Sequence, residues 1–144
     1  MSLMAFQILV LVLFVGCAAP AATENLRDGS LSNRNNLILL AGGLGAYALG
    51  WSLGHYSFES GDLYLKIGIA IIILASAFFG VPGGIAKMLI ALLPWLSVPV
   101  YFTALMIGFF LAAAFAKLKG GNAPAMPAIA LSVVGAMALP LIGG

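Results

Sequence analysis

Long stretches without a charged residue dominate this chain of 144 residues. The uncharged stretches are residues 1–23, 35–58, 67–86, 88–116 and 120–144. Each stretch can supply the roughly 20 apolar residues that a transmembrane helix needs. Only 7% of the residues are charged and 63% are hydrophobic, more apolar surface than a soluble domain of this size could bury. The pattern predicts a membrane protein. It excludes a soluble enzyme and, with a net charge of only +2, a nucleic-acid binder.

The longest uncharged stretch, 88–116, exceeds the length of one helix and contains Pro94 and Pro99. Proline removes a backbone donor and breaks a helix, and the intervening Trp95 suits a membrane interface. We therefore divide this stretch into a short helix and a longer one. The sequence predicts an all-α fold, a single transmembrane domain over 1–144 with about six helices. The predicted helices are roughly 3–22, 36–55, 63–80, 85–95, 99–117 and 124–142.

The basic residues predict the orientation of these helices. With both termini outside, five of the six basic residues lie in cytoplasmic segments, as the positive-inside rule requires. Those five are Arg27, Arg34, Lys87, Lys117 and Lys119. The predicted outer segment contains Glu59, Asp62 and Lys66, and an uncharged turn at 94–99 forms the other outer connection.

The first stretch also allows two other interpretations. Residues 1–23 resemble a signal peptide, because small residues at 18–22 follow an apolar segment. Residues 14–17, which end at Cys17, loosely resemble a lipoprotein cleavage site. A retained helix is favoured over both, because no basic residue precedes the apolar segment.

Single residues limit the possible chemistry. Cys17 is the only cysteine and His55 the only histidine, so one chain has no intrachain disulfide and no His/Cys metal cluster. We expect no metal and no cofactor. We expect His55 to lie at the outer interface. Small residues at helical spacing predict close packing of the second helix against its neighbours. These are Gly42, Ala46, Gly50 and Gly54.

Three polar segments lie on the predicted cytoplasmic side of the membrane. They are residues 25–33 after the first helix, 80–89 between the third and fourth helices, and 124–130 at the start of the sixth. In order and spacing they resemble the motifs of the type IV prepilin peptidases, in particular the short Flp/Tad pilus form that lacks a methylating domain. The matching residues are Leu26, Arg27 and Asn33 in the first motif and Gly80, Gly84, Lys87 and Leu89 in the second.

This resemblance implies a six-helix protein of the bacterial inner membrane that cleaves prepilin leaders at the cytoplasmic face. The family is a group of aspartic endopeptidases with one catalytic aspartate in each of the first two motifs. By position, those aspartates fall on Asn25 and Ile85. An amide cannot act as a general base and isoleucine has no polar atom, whereas the chemistry needs two carboxylates that share a proton.

Two other acids, Glu24 and Asp28, lie in the first motif. Asp28, three residues after Asn25, is the candidate substitute acid, although a solvated charge paired with Arg27 or Arg34 is the simpler interpretation. Three interpretations of Lys87 remain open: it binds lipid phosphate, it extends towards the interface, or it keeps a role in the site. The chain thus resembles a prepilin peptidase with a degenerate catalytic pair, and we expect it to be inactive.

The expected partners are membrane lipid and a prepilin or other pilus-assembly proteins, and nucleic acid is not expected. Two explanations fit the lost aspartates: a pseudoenzyme that assists pilus assembly, or a diverged relative with a different catalytic apparatus. The alternative function, from a different class, is a non-catalytic scaffold subunit of a secretion or transport complex.

Overall fold

The computed structural model describes residues 2–28, 32–54, 60–80, 83–120 and 125–142. Within these ranges the protein is all-α, with six α-helices. They are α1 (Leu3–Asp28), α2 (Asn33–Ser52), α3 (Ser60–Ala77), α4 (Gly83–Leu92), α5 (Val98–Lys119) and α6 (Ala125–Ile142). A 3-10 turn, Leu93–Trp95, extends α4. Some features considered in the sequence analysis lie outside the described residues: His55, Glu59, Pro124, and residues 29–31 and 81–82 of the first two polar segments.

Two of the described helices are long and apolar enough to cross a membrane. They are Leu3–Asp28, with a mean hydropathy of 2.3, and Val98–Leu118, with a mean hydropathy of 2.0. Shorter apolar helices cover Leu63–Ala77, Ile85–Trp95 and Ala125–Leu139. Large apolar side chains are exposed along several helices, and Phe78 and Phe79 in the turn after α3 are each 90% exposed. Such surfaces are typical of contact with a membrane or another protein.

Local sequence explains where several helices begin and end. α1 continues through Pro20 to Asp28, so the first polar segment starts as helix and not as the loop expected after residue 22. Ser32 caps α2, because its hydroxyl accepts a hydrogen bond from the Asn35 backbone N–H at 3.2 Å. Pro94 stands in the first positions of the 3-10 turn, where its missing N–H costs nothing.

One buried apolar cluster joins side chains of α1, α2, α4, α5 and α6, and Trp95 lies in it where α2 packs against α1. The Trp95 indole N–H donates to the Leu39 carbonyl at 2.9 Å, and its ring meets Phe14 edge-on at 5.2 Å. A Cβ on Gly42 would lie 2.8 Å from the Cys17 sulfur, and one on Gly43 would lie 2.8 Å from the indole nitrogen. Glycine at these two positions therefore allows α1 and Trp95 to approach the α2 backbone.

Gly54 does not belong to this packing face. α2 ends at Ser52, and Gly54 follows it with a φ of 77° and open space around its Cα. Its left-handed conformation ends the helix, which is a common use of glycine. The expected packing role therefore applies to Gly42, Ala46 and Gly50, but not to Gly54.

Specific contacts define the relative directions of the helices. α2 and α4 run parallel, because Lys87 reaches Asn33 near their starts and Trp95 reaches Leu39 further along. α5 and α6 form an antiparallel hairpin, in which the Ser132 hydroxyl donates to the Ala104 carbonyl at 2.7 Å. The starts of α2 and α4 therefore lie at the same end of the bundle.

Lys66 lies within α3, and its side chain is only 8% exposed. Its ammonium lies 4.5 Å from the centre of the Tyr47 ring, which is within range of a cation–π interaction. The sequence analysis grouped this lysine with the outer polar segment. The structure places it in a helix and packs it against α2.

Candidate functional site at one end of the bundle

The residues that carry the resemblance collect at one end of the bundle. We call it the polar end and define it by Asn25, Asn33, Lys87 and Met126. Cys17 on α1 lies close to Gly42 on α2. From this point, Asn25 lies about 12 Å further along α1, and Asn33 lies about 13 Å back towards the start of α2. These two residues therefore lie at about the same level. Two side-chain hydrogen bonds connect polar segments that are far apart in the sequence.

The first bond joins the first and third polar segments. The Asn25 side-chain oxygen accepts a hydrogen bond from the Met126 backbone N–H at 3.0 Å. Met126 lies in the first turn of α6, where backbone N–H groups have no partner within the helix. The half-buried amide of Asn25 therefore caps α6 from the end of α1.

The second bond joins the first and second polar segments. The Lys87 ammonium donates to the Asn33 side-chain oxygen at 2.8 Å. Both residues are exposed, and both lie near the starts of their helices, α4 and α2. A neutral amide accepts this bond, so the positive charge of Lys87 is not neutralised by it.

The other residues of the two motifs lie around these bonds. Leu26 is 59% exposed on α1. Gly84 lies in the first turn of α4, and Gly80 precedes that helix with a φ of 106°, a conformation that favours glycine. Ile85 is half-buried on α4 and offers no polar atom. The second aspartate position of the family therefore has no acid–base chemistry here.

Asp28, the candidate substitute acid, is paired with Arg27. It ends α1, and its carboxylate accepts two hydrogen bonds from Arg27, at 3.0 and 3.1 Å. This guanidinium lowers the pKa of Asp28 and keeps the carboxylate ionised. Both side chains are exposed to solvent, so their ion pair contributes little to stability.

Glu24 is also committed to a structural contact. Its carboxylate accepts a hydrogen bond from the Ser32 backbone N–H, which connects α1 to the residue that caps α2. This bond is the main reason that the pKa of Glu24 lies below its usual value. Glu24 and Asp28 are one helical turn apart, but both pKa values are lowered. Their carboxylates bond to different partners, Ser32 and Arg27.

Asn36 is a buried residue of this region that the sequence analysis did not identify. It is 6% exposed, and neither its side-chain nitrogen nor its side-chain oxygen has a hydrogen-bond partner within the described residues. It lies one turn from Asn33, on the buried face of α2 that continues through Leu39 and Gly43. The signal in the sequence was an asparagine at a position where the helical spacing of Leu39 and Gly43 places it on the buried face.

The described residues contain no group of three or more His, Cys, Asp or Glu side chains that could hold a metal ion. The polar end can donate and accept hydrogen bonds and attract anions, but within the same described ranges it has no pair of carboxylates suited to peptide hydrolysis. Comparisons with family models, curated proteins and solved structures found no match to this chain.

Proposed function

We propose that this chain is a non-catalytic, prepilin-peptidase-like protein of type IV or Flp pilus assembly. In this proposal it crosses the bacterial inner membrane six times, with the polar end at the cytoplasmic face. There it engages a prepilin, or another pilus-assembly protein with a transmembrane segment, without cleaving it.

One observation carries the proposal: the three polar segments are joined by side chains at a single end of the bundle. Asn25 bonds to the start of α6, and Lys87 bonds to Asn33. The six-helix topology already brings these three segments to one end, but it gives no reason for residues at the matched motif positions, Asn25, Asn33 and Lys87, to make the contacts that join them. Their meeting supports a shared architecture with the family that the motifs resemble.

The chemistry of the same end argues against catalysis. At the first aspartate position, the Asn25 oxygen is occupied by the Met126 N–H. At the second, Ile85 cannot accept or donate a proton. Glu24 and Asp28 are held ionised by Ser32 and Arg27. A protein with this site can retain binding while lacking the acid and base that hydrolysis needs.

The distribution of charge supports the proposed orientation. Arg27, Arg34 and Lys87 belong to the polar end, and Lys117 lies in the last turn of α5, which pairs with the start of α6. Cytoplasmic segments of membrane proteins are enriched in such residues. Two of the described helices, α1 and α5, are long and apolar enough to cross a membrane, which supports the membrane location in this proposal.

Site-specific photocrosslinking in bacterial membranes tests the proposal. A photoreactive residue replaces Leu26 at the polar end or, as the matched control, Leu139 near the opposite end of α6; the two side chains are 59% and 68% exposed. A Flp-type prepilin is co-expressed. We expect a crosslink from position 26 to a prepilin that still carries its leader, and none from position 139.

Two results would contradict the proposal. Equal crosslinking from both positions would indicate non-specific contact along the membrane. The lack of any crosslink from position 26 would remove the prepilin as a partner and favour the scaffold subunit of a secretion or transport complex.

A further inference from the structure

A long apolar groove lies between α5 and α6 on the surface of the bundle. It begins beside Pro99 and Ile142, near the start of α5 and the end of α6. It ends at Leu111 on α5 and Leu131 on α6. Its volume of about 970 Å³ lies at the upper end of the range of about 300–1,000 Å³ that is typical of ligand pockets. The groove is therefore large enough to hold a bound molecule.

The lining of the groove presents no charge. None of the described residues that line it is charged, and two of them carry hydroxyl groups. The Thr103 hydroxyl donates to the Pro99 carbonyl at 2.9 Å. The Ser132 hydroxyl donates to the Ala104 carbonyl at 2.7 Å. Because both hydroxyl protons are bound to backbone carbonyls, the part of an occupant that lies in this groove is apolar.

The length of the groove matches one leaflet of a bilayer. Between Pro99 and Leu111, α5 advances by about 18 Å, and between Leu131 and Ile142, α6 advances by about 17 Å. The hydrocarbon of one leaflet is about 15 Å deep, which is half of the bilayer core. α5 is long and apolar enough to cross a membrane, and the groove follows its first half. Acyl chains of a single leaflet therefore fit the groove from end to end.

A protein fits the same groove less well. A transmembrane helix of about 20 residues is about 30 Å long, so it would extend about 12 Å beyond the groove. A stable interface with a second copy of the chain needs about 20–30 residues on each side. Thirteen of the described residues line the groove. Length and contact area therefore favour a lipid over a protein partner.

Gly135 opens directly onto the groove. It is an exposed residue of the lining, and a Cβ added to it would meet no atom within 4 Å beyond its immediate chain surroundings. Leu131 and Leu139, on the same helix, are 64% and 68% exposed at the rim. A larger side chain at position 135 can thus enter the groove without pushing α5 and α6 apart.

We propose that the groove between α5 and α6 binds the acyl chains of one phospholipid, from the leaflet at the end of the bundle opposite the polar end. The chains lie between the two helices, and the headgroup lies beyond Pro99 and Ile142. Since residues 88–116 and 120–144 are uncharged, α5 and α6 do not select the headgroup by its charge. This proposal needs a membrane around the protein but does not depend on the engagement of a prepilin.

Native mass spectrometry of the protein, extracted from bilayers in a mild detergent, provides the test. The bilayers contain phosphatidylcholine, which has no net charge, or an equal mixture of it with anionic phosphatidylglycerol. Gly135→Leu fills the groove, and Ala138→Leu fills it further along α6. Gly45→Leu is the matched control, because Gly45 is also an exposed glycine within a helix whose added Cβ meets open space, but it lies on α2.

We expect the unmodified protein and Gly45→Leu to retain one phospholipid, and Gly135→Leu and Ala138→Leu to retain it at least tenfold less. Phosphatidylcholine and phosphatidylglycerol should be retained equally. In lipid-free detergent, both glycine variants should unfold at or above the midpoint of the unmodified protein, because leucine favours a helix more than glycine does. A loss of lipid from Gly135→Leu would then not result from unfolding.

Three results would overturn the proposal. Equal lipid retention by Gly135→Leu, Ala138→Leu and Gly45→Leu would place the lipid elsewhere on the protein. Retention of phosphatidylglycerol without phosphatidylcholine would assign the binding to headgroup charge and not to the groove. A dimer of the unmodified protein that Gly135→Leu dissociates would assign the groove to a second copy of the chain.

Discussion

Gly108→Ala should destabilise the protein by forcing α5 and α6 apart. A Cβ at this position would lie 2.8 Å from the Cα of Ile129 and 2.8 Å from its Cγ1. Carbon atoms in contact prefer about 3.5–4.0 Å. One of the obstructing atoms belongs to the backbone of α6, so a change of rotamer cannot relieve the clash. The two helices must separate along the hairpin or bend.

The expected size of this effect follows from two opposing contributions. Overpacking costs about 1–3 kcal/mol, and a rigid backbone obstacle favours the upper half of that range. Alanine in place of glycine within a helix gains about 1 kcal/mol. The net effect should be a loss of about 1–2 kcal/mol in the free energy of unfolding, measured by denaturant titration in detergent micelles and followed by circular dichroism.

Gly45→Ala is the matched control for this experiment. Gly45 also lies within a helix, but no atom outside its immediate chain surroundings lies within 4 Å of the added Cβ. The same chemical change should therefore leave stability unchanged or raise it by up to about 1 kcal/mol. If Gly108→Ala proved as stable as Gly45→Ala, the close approach of α5 and α6 would be refuted.

Three further predictions concern the core, the polar end and the topology. Trp95→Phe should cost about 1 kcal/mol, the net value of its hydrogen bond to Leu39, and Trp95→Ala about 3–5 kcal/mol; a Trp95→Phe variant as stable as the unmodified protein in the same titration would argue against that bond. The pKa of Glu24 lies below its usual value of 4.5 in the folded protein, so its ionised carboxylate stabilises the fold at pH values above 4.5. This stabilisation is lost as the pH falls through the lower pKa of the folded state. The midpoint of thermal unfolding of Glu24→Gln should therefore fall less steeply with acid than that of the unmodified protein. In a Cys17→Ala background, an impermeant maleimide added to intact cells should label Tyr64→Cys but not Arg27→Cys or Lys117→Cys; labelling of all three would rule out the six-span arrangement.

The sequence predicted the helices better than it predicted their ends. Uncharged stretches fix where a helix can lie in a bilayer, and the proline pair marks the turn after Trp95. The end of α1 was less predictable, since a polar sequence can continue as helix when tertiary contacts favour it. Here Asn25 reaches α6 and Glu24 reaches Ser32, and both bonds hold the last turns of α1 in place.

The candidate site was only partly readable from the sequence. Motif order indicated which segments matter, but it could not indicate that Asn25 would cap α6 or that Lys87 would bond to Asn33. The bond of Lys87 depends on the parallel arrangement of α2 and α4, and the bond of Asn25 depends on the packing of α1 against α6. Asn36 was missed because one polar residue within an apolar helix has no distinctive motif, and its significance comes from its burial. Gly108 was missed for the same kind of reason, since only the packing partner shows why a side chain is excluded.

The most direct test of the proposed function is an in-membrane cleavage assay with a Flp-type prepilin. The unmodified protein should leave the leader uncut, because Asn25 and Ile85 provide no carboxylate pair and the loss of one catalytic partner already costs several orders of magnitude in rate. The double variant Asn25→Asp with Ile85→Asp restores two acids and should show detectable cleavage if the surrounding site holds them correctly. Efficient cleavage by the unmodified protein, abolished by Asp28→Ala, would contradict the account and identify Asp28 as a catalytic acid.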